Sequence, residues 1–347
     1  MSAQPLGAWI KDRIFYIIGL VAFIVVVVVV LAVAIDNGDE GGDQPTLTPT
    51  SVPTATSSPT TTSAPTTTSA PSNTPAPTPT PGEKSPSLCG ADNHNCIGGW
   101  FYYVNDHTPE YNAQFAKSKG WNYVFLSLDT SNAAANIKAF QDVGIHVHWM
   151  TLEDTSFIYD VDGAKSLIHQ ICTFLRDNNI VIDGIHLDAE PHGLDQWASS
   201  TEEEQNAILD QFLVLLEEVR TIVSSYSEHY LLSSAVAWWF PERSASGTYT
   251  HGHGYDMVNS KRLHMVAPMI YEGAGGSVSR VTERARGYLG DGVDTVVGMG
   301  LDDYDFNEEP LNADVSGVMQ QLSNESFANH FYGVSIYTNH LYKDWGK

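Results

Sequence analysis

From residue 87 to the end of the chain the apolar positions follow two alternating rhythms. Short apolar or aromatic runs bounded by turn residues predict strands at 99–104, 122–129, 145–151, 183–190, 231–239, 264–271, 294–300 and 331–337. Between them apolar residues recur at helical spacing. One stripe is Ile208, Phe212, Leu215, Val219, Ile222 and Val223, preceded by a capping-box pattern at Thr201 and Glu204. A second covers 163–176 through Leu167, Ile168, Ile171, Cys172 and Leu175. Segments 109–118, 131–142 and 278–289 predict shorter helices, and 240–262 and 301–325 read as less regular connections. Eight strands alternating with helices over about 260 residues predict an α/β fold, the (β/α)8 TIM barrel. An open doubly wound sheet is the competing architecture, but no Gly-rich phosphate loop follows the first strand.

The chain before residue 87 has a different character. Residues 14–35 carry no charge and are long enough for a transmembrane helix. The unbroken valine run favours a retained anchor over a cleaved signal peptide. Lys11 and Arg13 precede this span, and Asp36, Asp39, Glu40 and Asp43 follow it. Residues 1–13 are therefore expected to form a cytoplasmic tail, with the 87–347 domain extracellular or lumenal. Residues 36–86 read as a Thr/Pro/Ser-rich disordered stalk, since 44–86 has too few large apolar side chains to form a core.

The formal net charge of −24 argues against nucleic acid as a partner, which needs a basic footprint. Of three cysteines, Cys89 and Cys96 flank a short polar loop and are expected to form a disulfide in an oxidising compartment. Cys172 falls in an apolar helical pattern and reads as a buried thiol. Asn324 opens an N-glycosylation sequon. The oligomeric state is open.

Catalytic groups of a (β/α)8 barrel sit at the C-terminal ends of its strands. Those ends offer Asp129, Glu153 and Asp154, Glu190, Trp238 and Trp239, Tyr271 and Glu272, Asp302 and Asp303, and Tyr337, Asn339 and His340. Carboxylates with aromatic faces suit a carbohydrate, because acids protonate and orient while rings stack on sugars. Trp238 and Trp239, adjacent in a candidate strand, point to opposite faces, so at most one should face the cleft. The densest constellation is Asp183-Gly184-Ile185-His186-Leu187-Asp188-Ala189-Glu190 on candidate strand 4, which puts His186, Asp188 and Glu190 on one face. His186 could carry a positive charge and alter the titration of Asp188. His146-Val147-His148 and His251-Gly252-His253 have metal-ligand spacing, but the first pair lies near the wrong end of its strand. No metal and no cofactor are expected. There is no G-x-S-x-G nucleophile elbow.

The strand-4 stretch resembles the DxxDxDxE motif of chitinase-type glycoside hydrolases of family 18, with His186 in place of the middle Asp. Met269-Ile270-Tyr271-Glu272 resembles that family's Met-x-Tyr-Asp motif on strand 6, with Glu for Asp. Ala189 and Tyr337 stand where the family commonly has tryptophan. The resemblance is therefore to a divergent member, or to a related (β/α)8-barrel glycosidase. It implies Glu190 as general acid/base, Asp188 orienting a 2-acetamido group, and Tyr271 hydrogen-bonding that group. Asp183, His186, Asp129, Trp238, Trp239, Glu272, Asp302 and Tyr337 are the expected substrate-binding residues. Ala189-Glu190-Pro191 also resembles the Asn-Glu-Pro motif of retaining glycosidases. Those enzymes take a nucleophilic Glu from the end of strand 7, where this chain has Asp302, Asp303 and then Glu308. A barrel that binds carbohydrate without cleaving it is the reading from a different class.

Overall fold

The computed structural model describes residues 87–90, 94–271 and 276–345. The expected tail, membrane span and stalk lie outside the described residues, as does Glu272. Among the described residues, no helix is long and apolar enough to cross a membrane.

Eight parallel strands pair in sequence order, and the last pairs back to the first to close a barrel. They are β1 (Cys96–Phe101), β2 (Tyr123–Ser127), β3 (His146–Thr151), β4 (Gly184–Leu187), β5 (Leu231–Ala237), β6 (Met265–Met269), β7 (Thr295–Gly300) and β8 (Phe331–Tyr337). The helices are α1 (Pro109–Ser118), α2 (Ala133–Asp142), α3 (Val161–Asp177), α4 (Glu202–Tyr226), α5 (Phe240–Ala245), α6 (Gly254–Met257), α7 (Val278–Gly290) and α8 (Glu308–Leu322). The fold is the expected (β/α)8 barrel. Thr201 and Glu204 form the reciprocal capping box that starts α4.

Several boundaries differ from the sequence expectation: β4 stops at Leu187 rather than running to Glu190, and three further differences stand out. β1 begins at Cys96 and ends at Phe101, because Tyr102 turns its backbone N–H to the Asn339 side chain (2.7 Å) and Tyr103 adopts a left-handed φ of 56°. β5 ends at Ala237, so Trp238 and Trp239 lie past the strand in the turn that enters α5. The 301–325 connection contains a full helix, α8, burying Leu311, Val315, Val318 and Leu322. Pro310 and Gly317 disguise it in the sequence. Pro310 sits in the first turn, where its missing N–H has no intrahelical partner to lose. Gly317 faces Val278 of α7, and a Cβ there would come within 2.6 Å of that side chain.

Side chains alternate across each strand, so one parity faces the helices and the other the lumen. The lumen is filled by Trp100, Tyr123, Phe125, His148, Met150 and His186. Such bulk fits because neighbouring strands supply glycine. A Cβ on Gly98 would lie 2.3 Å from the Tyr123 carbonyl and 2.6 Å from its ring, and one on Gly184 would lie 2.5 Å from His148 Nδ1. Below, Ser87–Gly90 crosses the N-terminal end of the barrel. Leu88 is fully buried and its carbonyl accepts from His148 Nε2 at 2.7 Å. Cys89 and Cys96 are disulfide-bonded, as expected. Cys172 is a buried thiol whose pKa burial pushes up to about 12.

Gly98→Ala should destabilise the domain by about 2 kcal/mol, the usual scale of overpacking. Gly290→Ala, at an exposed helical position with nothing within 4 Å, should be neutral or stabilising by up to about 1 kcal/mol. Thermal or denaturant unfolding of both variants checks the contrast; equal effects would contradict the packing described.

Candidate active site

The β4 ladder ends at Leu187, but Asp188 N still donates to Thr151 O at 2.9 Å. The Asp188 side chain therefore keeps the inward parity of His186, and it is only 8 % exposed. Its Oδ2 accepts from the Tyr102 hydroxyl at 2.7 Å. Burial, followed by the nearby Glu190 charge, lifts the Asp188 pKa to about 7 against the opposing pull of the Tyr102 hydrogen bond. Burial and Asp188 in turn hold the Tyr102 phenol well above its ordinary value. Glu190 lies beyond the strand, at the start of the short turn Pro191–Gly193. It is half-buried, and its Oε2 lies 3.5 Å from His192 Nε2.

His186 forms the floor under this pair. Trp100 Nε1–H, which can only donate, points at His186 Nε2 at 3.0 Å. The ring proton therefore sits on Nδ1 and donates to Ser233 Oγ at 2.9 Å. The imidazole lies flat on Phe125, with centroids 3.6 Å apart and planes 8° apart. Burial, reinforced by His148, holds its pKa well below the ordinary value. His186 is thus neutral, which corrects the expectation of a positive charge beneath Asp188.

Aromatic rings line the mouth. Tyr271 and Tyr337 stack at 4.7 Å and 16°, and both present edges to Trp100. Burial, then Asp188, raises the Tyr337 pKa, to which Asp302 and Glu190 also contribute. Glu153, after β3, accepts from Ser127 Oγ at 2.7 Å, and loss of solvent raises its carboxyl although the side chain stays exposed. Tyr102 is clamped from the other end of the chain: Asn339 Oδ1 accepts from its N–H at 2.7 Å and Asn339 Nδ2 donates to its carbonyl at 2.9 Å.

The structure thus brings His186, Asp188, Glu190, Tyr271, Tyr337 and Asp302 to one end of the barrel. Others lie apart. Asp183 sits at the opposite end, accepting from Val147 N at 2.9 Å and pairing with His146 Nδ1 at 2.7 Å. Burial alone would raise its pKa, but the His146 bond and the neighbouring imidazoles outweigh that and lower it. Asp129 is exposed and its carboxylate accepts from Ser131 and from Asn132 N, closing the turn into α2; the Ser131 bonds hold it below the usual range. Trp238 carries the Arg284 guanidinium on its face at 3.7 Å, whereas Trp239 packs against His192, Trp197 and Phe240. Neither lies in a strand, so strand parity does not apply to them, and both line one cavity beside the mouth. Glu308, at the start of α8, is taken up by Lys119 at 2.9 Å. Asn324 is exposed just beyond α8. Among the described residues, no group of three or more His, Cys, Asp or Glu is arranged to hold a metal ion.

Tyr102 was not among the sequence candidates, and Asn339 was there only as one of the polar residues beyond strand 8. Tyr102 left a trace, standing two residues beyond Trp100 and so on the same parity. The sequence places Asn339 beyond strand 8 but not its hold on Tyr102, which depends on barrel closure.

The raised Asp188 pKa sets a pH signature. The folded chain holds a proton there that an unfolded carboxyl releases near pH 4. The stability this group contributes is complete below about pH 4 and is lost as pH rises through about 7. Asp188→Asn removes that dependence. Its melting temperature relative to wild type should climb between about pH 4 and 7 and level off above, a relative gain of up to about 4 kcal/mol. A difference flat across that range would contradict a buried, protonated Asp188. Nitrogen NMR of His186 at neutral pH should show the Nδ1–H tautomer of a neutral ring.

The chain matches no family model and no curated protein sequence. Solved structures resemble it in fold. A beta-glucuronidase from Bacteroides uniformis is 13% identical with a TM-score of 0.50, over 73% of this chain and 30% of its own. A GH18 chitinase from Pseudoalteromonas aurantia is 12% identical with a TM-score of 0.48, over 70% of this chain and 93% of its own. The GH53 catalytic domain of Ignisphaera aggregans is 10% identical with a TM-score of 0.48, over 72% of this chain and 86% of its own. At such identities the likeness is one of fold, the eight-stranded barrel.

Proposed function

We propose that residues 87–347 form a glycoside hydrolase acting on a polysaccharide or glycan, with Glu190 as general acid/base. The observation that carries this reading is the buried Asp188–Tyr102 pair beside Glu190 at the open end of the barrel. Glycosidic cleavage needs a proton donor at the leaving oxygen and a second group that steadies the developing positive charge. Glu190 reaches solvent and is placed to exchange protons with a leaving group. Asp188, deeper and tied to Tyr102, is placed to orient a substrate group.

Glu308 is taken up by Lys119, 2.9 Å away, and is paired rather than held out as a nucleophile. This favours a nucleophile carried by the substrate, such as a 2-acetamido carbonyl, oriented by Asp188 and by Tyr271. The stacked Tyr271–Tyr337 pair supplies an aromatic wall for the sugar. Residues 14–35 are proposed to anchor the chain in a membrane, with this domain on the extracellular or lumenal side.

The test uses the full-length chain on a panel of polysaccharides and aryl glycosides, reading reducing-end release and glycan binding together. Wild type should release reducing ends. Glu190→Gln should lose roughly 10²- to 10⁴-fold in turnover while still binding, and Tyr102→Phe should lower kcat roughly tenfold with little change in KM. Near-normal turnover in Glu190→Gln would sink the mechanism. Binding without release by any variant would make the protein a carbohydrate-binding barrel.

A further inference from the structure

Two loops rise from the same side of the barrel mouth. One follows β4 through the turns Pro191–Gly193 and Trp197–Ser199; the other follows β5 through Trp238 and Trp239 into α5. Between them lies a cavity of about 790 Å³, lined by Trp197, Trp238, Trp239 and Tyr249, with Gln205 and Arg243 among its polar groups. That volume falls in the range of small-ligand sites. Its walls are braced, because Gln205 accepts from the Tyr249 hydroxyl at 2.9 Å and donates to the Trp197 carbonyl at 2.9 Å.

The cavity is one side chain away from Glu190. The His192 ring stands edge-on to Trp239 at 5.9 Å, and its Nε2 lies 3.5 Å from Glu190 Oε2. Trp238 and Trp239 are the partly exposed rings, backed by the buried Trp197 and Tyr249. Indoles of this kind suit the C–H side of a sugar, and the Ser200, Ser246 and Thr248 side chains and the Arg243 guanidinium line the same cavity toward its hydroxyls. Among the lining residues Glu202 and Glu242 outnumber Arg243, and Arg284, on the face of Trp238, lines the neighbouring cavity instead, so there is no basic cluster for an acidic sugar.

We propose that this cavity is a subsite for an uncharged sugar residue, placed along the same glycan as the bond that faces Glu190. The inference rests on the glycoside hydrolase reading for which bond is cut, and on the cavity alone for binding. It makes the substrate an oligomer of several neutral units.

The experiment uses the full-length chain with cello-, manno- and chito-oligosaccharides of two to six units, an aryl monoglycoside, and an oligogalacturonide as the acidic control. Two variants act on the cavity. Trp239→Ala removes a wall, and Ala198→Trp fills the space from an exposed lining position and so leaves the core intact. Ala198→Trp should raise KM for the longer oligosaccharides roughly tenfold, with kcat unchanged and the monoglycoside unaffected, and Trp239→Ala should raise the same KM. If Trp239→Ala does not fold, Ala198→Trp decides. Unchanged KM for the longer oligosaccharides would overturn the subsite while leaving the hydrolase intact. If wild type cleaves nothing, the hydrolase reading fails and tryptophan fluorescence decides the subsite. Quenching by neutral oligosaccharides that Ala198→Trp abolishes supports it, and no quenching in wild type overturns it. Equal or tighter binding of the oligogalacturonide would overturn the assignment to an uncharged sugar.

Discussion

Inside the barrel the indole N–H of Trp100 meets the imidazole of His186 at 3.0 Å, and much of the mouth depends on that contact. An indole can donate but not accept, so it assigns the imidazole's tautomer and favours its neutral form. Phe125 beneath and Ser233 alongside complete the hold. The floor under Asp188 is therefore bulky, dry and uncharged. Where a cation would have pulled a proton off Asp188, this floor leaves desolvation and the nearby Glu190 charge to act, and the carboxyl stays protonated to about neutrality. Two acids two residues apart thus occupy different surroundings, one enclosed and one open to water.

The architecture was legible in the sequence because a barrel repeats its pattern. All eight strands and most of the longer helices follow from apolar period, with capping chemistry marking the start of α4. The errors cluster where aromatic runs continue past the sheet. Gly-Trp-Phe-Tyr-Tyr-Val reads as one strand, yet the backbone leaves the ladder at Tyr102 to bond a side chain 237 residues away. The α8 stripe was masked by a proline that its first turn tolerates and a glycine that its packing against Val278 demands.

The site was legible only in part, for a related reason. His186, Asp188 and Glu190 lie in one short stretch, so strand parity suffices to group the first two, and the chain carries the third just beyond. Asp183 belongs to the same stretch but to the other end of the barrel, since a strand four residues long separates the two ends. Asp129 looks like a strand-end acid, but its oxygens are occupied by the turn into α2. Spacing identifies which residues can share a face; it does not reveal which polar groups the backbone has already claimed.

The clamp between Tyr102 and Asn339 has a consequence for how the protein comes into being. The hydroxyl that steadies Asp188 comes from the first strand, and the amide that fixes that tyrosine's backbone comes just after the last. Thr338 adds a further tie, donating to the Trp100 carbonyl at 2.8 Å. No amino-terminal fragment can contain the finished arrangement, however much of the barrel it includes. During synthesis the acids of β4 are made long before the residues that hold their partner in place. The chemistry at the mouth is therefore a property of the closed ring, acquired in the final steps of its assembly.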